Sequence, residues 1–401
     1  MKKEWHKFGL VFLLIVALIG TLLRATALVS IPFDLEYGHL VHAHSHVAFQ
    51  GWVYTIILLL LTHFYLGKEQ LKTGRYPLQF KLTIAAIVGI LISFSLQGYA
   101  LYSILFSTLF QLLNYWFIYR FLKDTRGEKS ISLQFIKTGL YFGLLSSLFP
   151  YAIGVLSAKG LNGTEAYRSL VYSFMHLQYN GWFLFIVLGL FIKFLEANAI
   201  TYKYHYARRF YWLFVIATIP AISLSFIGAS FAQYLTLATY SSVILLAVGL
   251  IYFILSIPRN FLSTIKQKSS WFKLFLLAFL VSFILKILLQ CLSVLPVFKL
   301  LAFHNKSIIL AYLHLTLIGC ISFLLLAILI ELKWIYIKGY SKIGSILLIL
   351  GFVTTEVLLI LGGLTTFKIS VPLLIGSAAM VLGIFFLVIN RNHKLEEHGE
   401  I

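Results

Sequence analysis

Apolar residues in this chain do not alternate with polar ones. They run in blocks of about 20, separated by short stretches rich in Lys and Arg. A helix rising 1.5 Å per residue needs roughly 20 apolar residues to cross the hydrocarbon core of a bilayer. The blocks divide into twelve candidate spans, at 8–29, 40–66, 82–101, 103–122, 138–157, 166–194, 209–229, 233–257, 272–294, 307–331, 341–362 and 371–390. The weakest break falls at Gly98-Tyr99, where two spans meet with almost no loop, and losing it would invert every later orientation. Positive charge argues for the break. With twelve spans, 25 of the 32 Lys and Arg lie on the side of the termini, against Lys159, Arg168, Lys299, Lys306 and Lys368 on the other. Cytoplasmic loops carry such an excess, so both termini are expected in the cytoplasm of a multi-pass cell-membrane protein. The charged tail Arg391–Ile401 is expected to fray. The fold class expected is therefore all-α, a single transmembrane domain over 1–401 with twelve transmembrane helices.

The polar positions inside the blocks carry the chemistry. His39, His42, His44 and His46 fall within eight residues and open a long apolar run through Ile56 and Leu61. Two later runs echo it, Phe174-Met-His176-Leu-Gln-Tyr-Asn-Gly181 and Tyr312-Leu-His314-Leu-Thr-Leu-Ile-Gly319, and all three contain His-x-x-x-x-Gly. His46 and His176 are 130 residues apart, His176 and His314 138. Each interval holds four helices, so the chain reads as three quasi-repeats of four, roughly 1–66 with 341–390, 82–194 and 209–331. The three histidines lie on the second, sixth and tenth spans, at one depth in the outer half of the membrane. A threefold arrangement brings these helices to equivalent inner positions.

Composition narrows the class. Hydrophobic residues make up 60% of the chain and charged ones 11%, with a mean hydropathy of +0.94, which excludes a soluble domain. The net charge of +19 sits in connecting loops and is read as a topology signal, with membrane lipid as the partner and no nucleic acid. Cys291 and Cys320 lie in apolar runs without CxxC or CxxCH context, so neither disulfides nor covalent haem attachment is indicated. The first apolar block is long enough to span and lacks an obvious cleavage site.

Imidazole in hydrocarbon must be hydrogen-bonded or ligated, and two imidazoles at equal depth meet the axial demand of a six-coordinate iron. His46 and His314 are the expected pair for a b-type haem. His39, His42 and His46 share a helix face while His44 points away, and His42 or His44 could replace His46 as ligand. Gly51, Gly181 and Gly319, taken singly, are expected to serve helix packing, as are Trp52 and Trp182. Arg24, Lys286 and Glu356 are intramembrane charges that require partners. A Lys286–Glu356 ion pair is the favoured arrangement; Arg24 or Lys286 on a haem propionate is the other.

The stretch His304-Asn-Lys-Ser-Ile-Ile-Leu-Ala311-Tyr312-Leu-His314, with twelve helices and histidines on helices two, six and ten, resembles catalytic subunit I of the haem-copper oxidase superfamily. The resemblance implies that His314 is a low-spin haem ligand, that His304 lies near the haem propionates and a non-redox metal, and that Ala43-His44-Ser45-His46 holds the opposite ligand. His176 matches a position that supplies a copper ligand in that family. The departures are specific: Tyr312 stands where a high-spin haem ligand is expected, and the seventh span has no histidine for a copper pair. The scaffold and one low-spin bis-histidine haem are therefore expected, serving electron transfer or a response to redox state or a diatomic gas, with other integral membrane or electron-transfer subunits as partners. Whether the protein is an enzyme stays open. A terminal oxidase or nitric oxide reductase with an unusual second site, using copper, is one alternative, and a transition-metal or haem transporter is another.

Overall fold

The computed structural model of the protein describes residues 1–30, 36–258 and 261–390; the expected fraying tail lies outside the described residues. Those residues form helices and no strand. Eleven helices are long and apolar enough to cross a membrane: α1 (Lys3–Ala25), α2 (Tyr37–Tyr65), α3 (Tyr76–Gln97), α4 (Leu101–Asp124), α5 (Ile131–Ala158), α6 (Glu165–Ala197), α8 (Ala232–Ser256), α9 (Ser270–Leu292), α10 (Lys306–Glu331), α11 (Tyr340–Leu364) and α12 (Ser370–Val388). In the place of the expected seventh span, helix α7 (Tyr204–Thr218) is followed by a 3₁₀ segment, Pro220–Phe226, bent 50° from it. Pro220 lacks an N–H and its ring clashes with the preceding turn, so the helix breaks there.

Local chemistry sets the ends. Thr164 caps α6 by accepting from the Tyr167 N–H, Ser269 caps α9 by accepting from Phe272, and Asn305 caps α10 by accepting from Ser307 and Ile308, each satisfying donors that a helix start leaves open. The break at Gly98 is a turn. Gly98 has φ +61°, and a Cβ there would lie 2.4 Å from His39 Cδ2, so glycine answers both the conformation and the close approach. Ser103 Oγ then accepts from the Ala100 N–H at 2.9 Å, restarting the chain as α4.

The polypeptide divides into two compact units, residues 1–126 with 325–401, and residues 127–324. In the first, α1 packs on α12, α11 on α12, and α2 and α4 on α3. The α11–α12 contact is a glycine seam: Cβ atoms on Gly344 and Gly351 would fall 2.7 Å from the Gly383 and Gly376 carbonyl oxygens, so backbones approach where side chains are missing. In the second unit, α6 packs on α5, α7 on α8, and α9 on α8 and on residues 315–322 of α10. Gly139 and Gly143 of α5 admit the Trp182 region of α6, which gives Trp182 the packing role expected of it.

Burial singles out the histidine-bearing helices. The apolar windows of α2, α6 and α10 are 72, 83 and 78% buried, against 22–44% for the other eight. Each also changes winding at the same place. Directly after His46, His176 and His314 the backbone becomes π-helical, over Val47–Tyr54, Leu177–Phe183 and Leu315–Ser322. Hydroxyls reinforce the wider i→i−5 spacing in two of them, Thr55 Oγ1 donating to the Gln50 carbonyl at 3.3 Å and Ser322 Oγ to Leu317 at 2.7 Å. Such segments are rare and concentrate at functional positions.

Candidate functional site

In the first unit the histidine run divides by helix face. His42 and His46 lie against α3 and its following turn: the His46 ring stacks on Phe94 with centroids 4.3 Å apart, its Nε2 is 3.0 Å from the Tyr99 hydroxyl, and His42 meets Tyr99 edge-on at 4.6 Å. His39, one turn earlier, packs against Gly98 and lies 3.3 Å from the Glu36 carboxylate. His44 points the other way, to α1, as the spacing requires. Its Nδ1 is 3.0 Å from the Val16 carbonyl, and Gly20 makes room for the ring, since a Cβ there would lie 2.8 Å from Cε1.

The His44 contact fixes a tautomer. A carbonyl only accepts, so Nδ1 carries the proton and Nε2 keeps its lone pair. One helical turn beyond Gly20, Arg24 interacts electrostatically with both His44 and Glu356 and donates to Ser377 Oγ. Helices α1 and α12 are thus joined through Arg24 and Ser377, with Glu356 of α11 beside them.

In the second unit His176 is 2% exposed and satisfied at both nitrogens. Nε2 is 3.1 Å from the Thr218 carbonyl and therefore donates, and Nδ1, 3.2 Å from Asn180 Nδ2, accepts. The break in the seventh segment creates the acceptor. Within a regular helix Thr218 would receive the Ile222 N–H, but Ile222 bonds instead to Ile219 at 3.1 Å, leaving the Thr218 carbonyl for the imidazole. Nearby, Lys286 is 1% exposed and its ammonium donates to Gln290 Oε1 at 2.6 Å, with the Tyr312 ring centroid 5.7 Å away. The Tyr312 ring lies 6.4 Å, centroid to centroid, from Tyr179. A cavity of about 20 Å³ opens among His176, Asn180, Thr218, Lys286 and Gln290.

Within its own unit Lys286 is met by Gln290 and Tyr312. The glycine expectation is met at two positions: a Cβ on Gly51 would strike Phe12, and one on Gly181 would strike Phe142, so both take up a neighbouring helix. His304 ends a short helix, Pro296–His304, as an exposed residue with its ring edge-on to Phe303. His314 is half-buried immediately ahead of its π segment. Among the described residues no three His, Cys, Asp or Glu side chains converge as a metal-binding group. The structure adds Phe94, Tyr99, Asn180, Thr218 and Gln290 to the residues picked out from the sequence. Of these, Asn180 and Gln290 stand four residues after His176 and Lys286, the i,i+4 spacing at which helical side chains meet, so that signal was present in the sequence. No family model matches the chain, and no curated protein is significantly similar to it.

Proposed function

We propose that this chain is a haem-binding membrane protein, similar in scaffold to subunit I of the haem-copper oxidases. In this reading twelve spans in three quasi-repeats lie in the cell membrane with both termini in the cytoplasm. The concentration of Lys and Arg on one side supports the orientation, and the shared histidine-then-π-helix pattern supports the repeat.

The observation that carries haem binding is the environment of His44. A histidine that ligates iron donates its other ring N–H to a carbonyl or carboxylate, which fixes the tautomer and the ring's orientation. His44 makes that bond to Val16 through Nδ1, and Arg24, on the same face of α1, is a cation suited to a propionate. His44 therefore fits the axial role better than His46, whose Nε2 already meets Tyr99. His42 and His46 hold the α2–α3 contact, and His314 is the opposite ligand that the sequence suggests. His176, with both nitrogens used inside the protein, is assigned a positioning role and no metal.

A bound b-type haem supplies reversible one-electron chemistry, so the function we infer is electron transfer or a response to redox state. Tyr312 stands where the resembled family has a high-spin haem ligand, so this reading does not include oxygen reduction at a second metal. Reduced-minus-oxidised spectra and haem content of the purified protein test the reading. A low-spin signal without a carbon monoxide shift is expected, lost in His44→Ala and in His314→Ala and retained in His46→Ala. Protein without haem, or a signal that survives His44→Ala combined with His46→Ala, overturns it.

A further inference from the structure

We propose that Lys286 and Gln290, in the cavity bounded by His176 and Asn180, form a binding site for a small monovalent anion of halide size. An ammonium inside a membrane-spanning helix is costly unless something of opposite charge compensates it. Among the described residues of its own unit, the groups that face Lys286 are neutral. From α6 come His176, which accepts at Nδ1 and donates at Nε2, together with Tyr179 and Asn180. From the seventh segment comes Thr218, whose hydroxyl is spent on the Phe214 carbonyl at 2.7 Å. Helix α9 adds Gln290 and Cys291, the latter with Sγ 3.8 Å from the Val243 carbonyl of α8, and α10 adds Tyr312 and Cys320.

None of these groups is a carboxylate. The charge is met by one amide oxygen and one aromatic face, enough to orient the ammonium and too little to neutralise it.

The cavity beside Lys286 supplies the place for a counter-charge. Its volume of about 20 Å³ exceeds the roughly 10–15 Å³ that one water-sized occupant needs. Lys286 and the Gln290 amide N–H groups are donors on its wall, and Phe214, Leu184, Leu246 and Ile287 close the rest. Apolar walls exclude large or strongly hydrated anions such as sulfate. An ion with one charge and the size of a water molecule matches both the space and the missing charge, whereas a water molecule would match only the space.

The test is thermal unfolding of the full-length protein in detergent at constant ionic strength, with sodium gluconate replaced stepwise by sodium chloride or bromide. A saturable rise in Tm of several degrees is expected, absent in Lys286→Met. Gln290→Glu places a carboxylate on the acceptor position already facing the ammonium. This variant should raise Tm in gluconate and remove the halide dependence, which keeps the proposal falsifiable if Lys286→Met does not fold. A wild-type Tm indifferent to halide, or a halide rise unchanged in either variant, overturns it. Crystals containing bromide should show an anomalous peak beside Lys286 Nζ, and a peak only at surface lysines counts against the site.

Discussion

The two units handle an intramembrane cation in opposite ways. In the first, Arg24 donates to Ser377 and has the acidic Glu356 beside it. In the second, Lys286 is held by the Gln290 amide and the Tyr312 ring. The histidines differ in parallel: His44 spends one nitrogen on a carbonyl, while His176 spends both. The two His-x-x-x-x-Gly words differ as well: His46 reaches the exposed Tyr99 hydroxyl, whereas His176 is closed by Thr218 and Asn180. The motif sets where the backbone widens. The neighbouring helix decides what the imidazole does.

Removing one charge from each pair breaks the comparison most sharply. Glu356→Ala leaves Arg24 uncompensated and should cost about 2–3 kcal/mol for this half-buried pair; Arg24→Met in the same chain should recover most of the loss. A double-mutant cycle on detergent unfolding measures it, and additive losses would mean that the two residues do not interact.

His176→Leu should cost about 2 kcal/mol, because it strands the Thr218 carbonyl in the interior. His46→Leu, whose partner Tyr99 is 62% exposed, should cost about 1 kcal/mol or less. Equal losses would erase the distinction between the buried and the peripheral histidine. Gly98→Ala meets a positive φ and the His39 ring, and should cost about 1–2 kcal/mol. Proteolysis at the α3–α4 turn would register that loss as faster cleavage. Tyr99→Phe removes only a hydroxyl from the His46 contact, and a change of about 0.5–1 kcal/mol is expected in the same unfolding assay.

Much of the fold was legible because hydropathy sums along a span whatever surrounds it. The bounds of α2, α6 and α10 fall within a few residues of those expected, and Gly98 marked its turn because glycine alone tolerates that conformation next to His39. The opposed faces of His42/His46 and His44 also followed from helical periodicity. Hydropathy predicts a seventh span at 209–229 and gives no weight to Pro220, although the break there releases the acceptor for His176.

By itself, then, the sequence determined that this chain forms long apolar helices, where they start and stop, and which polar residues enter them. Those properties depend on local composition and on hydrogen bonds within four or five residues. Tertiary structure alone decided that His44 turns to the Val16 carbonyl, that His176 is closed by Thr218 and Asn180, and that Lys286 is met by Gln290 and the Tyr312 ring. A polar group in an apolar interior takes the partner that packing brings within about 3 Å, and which neighbour comes that close depends on how whole helices rotate and pack.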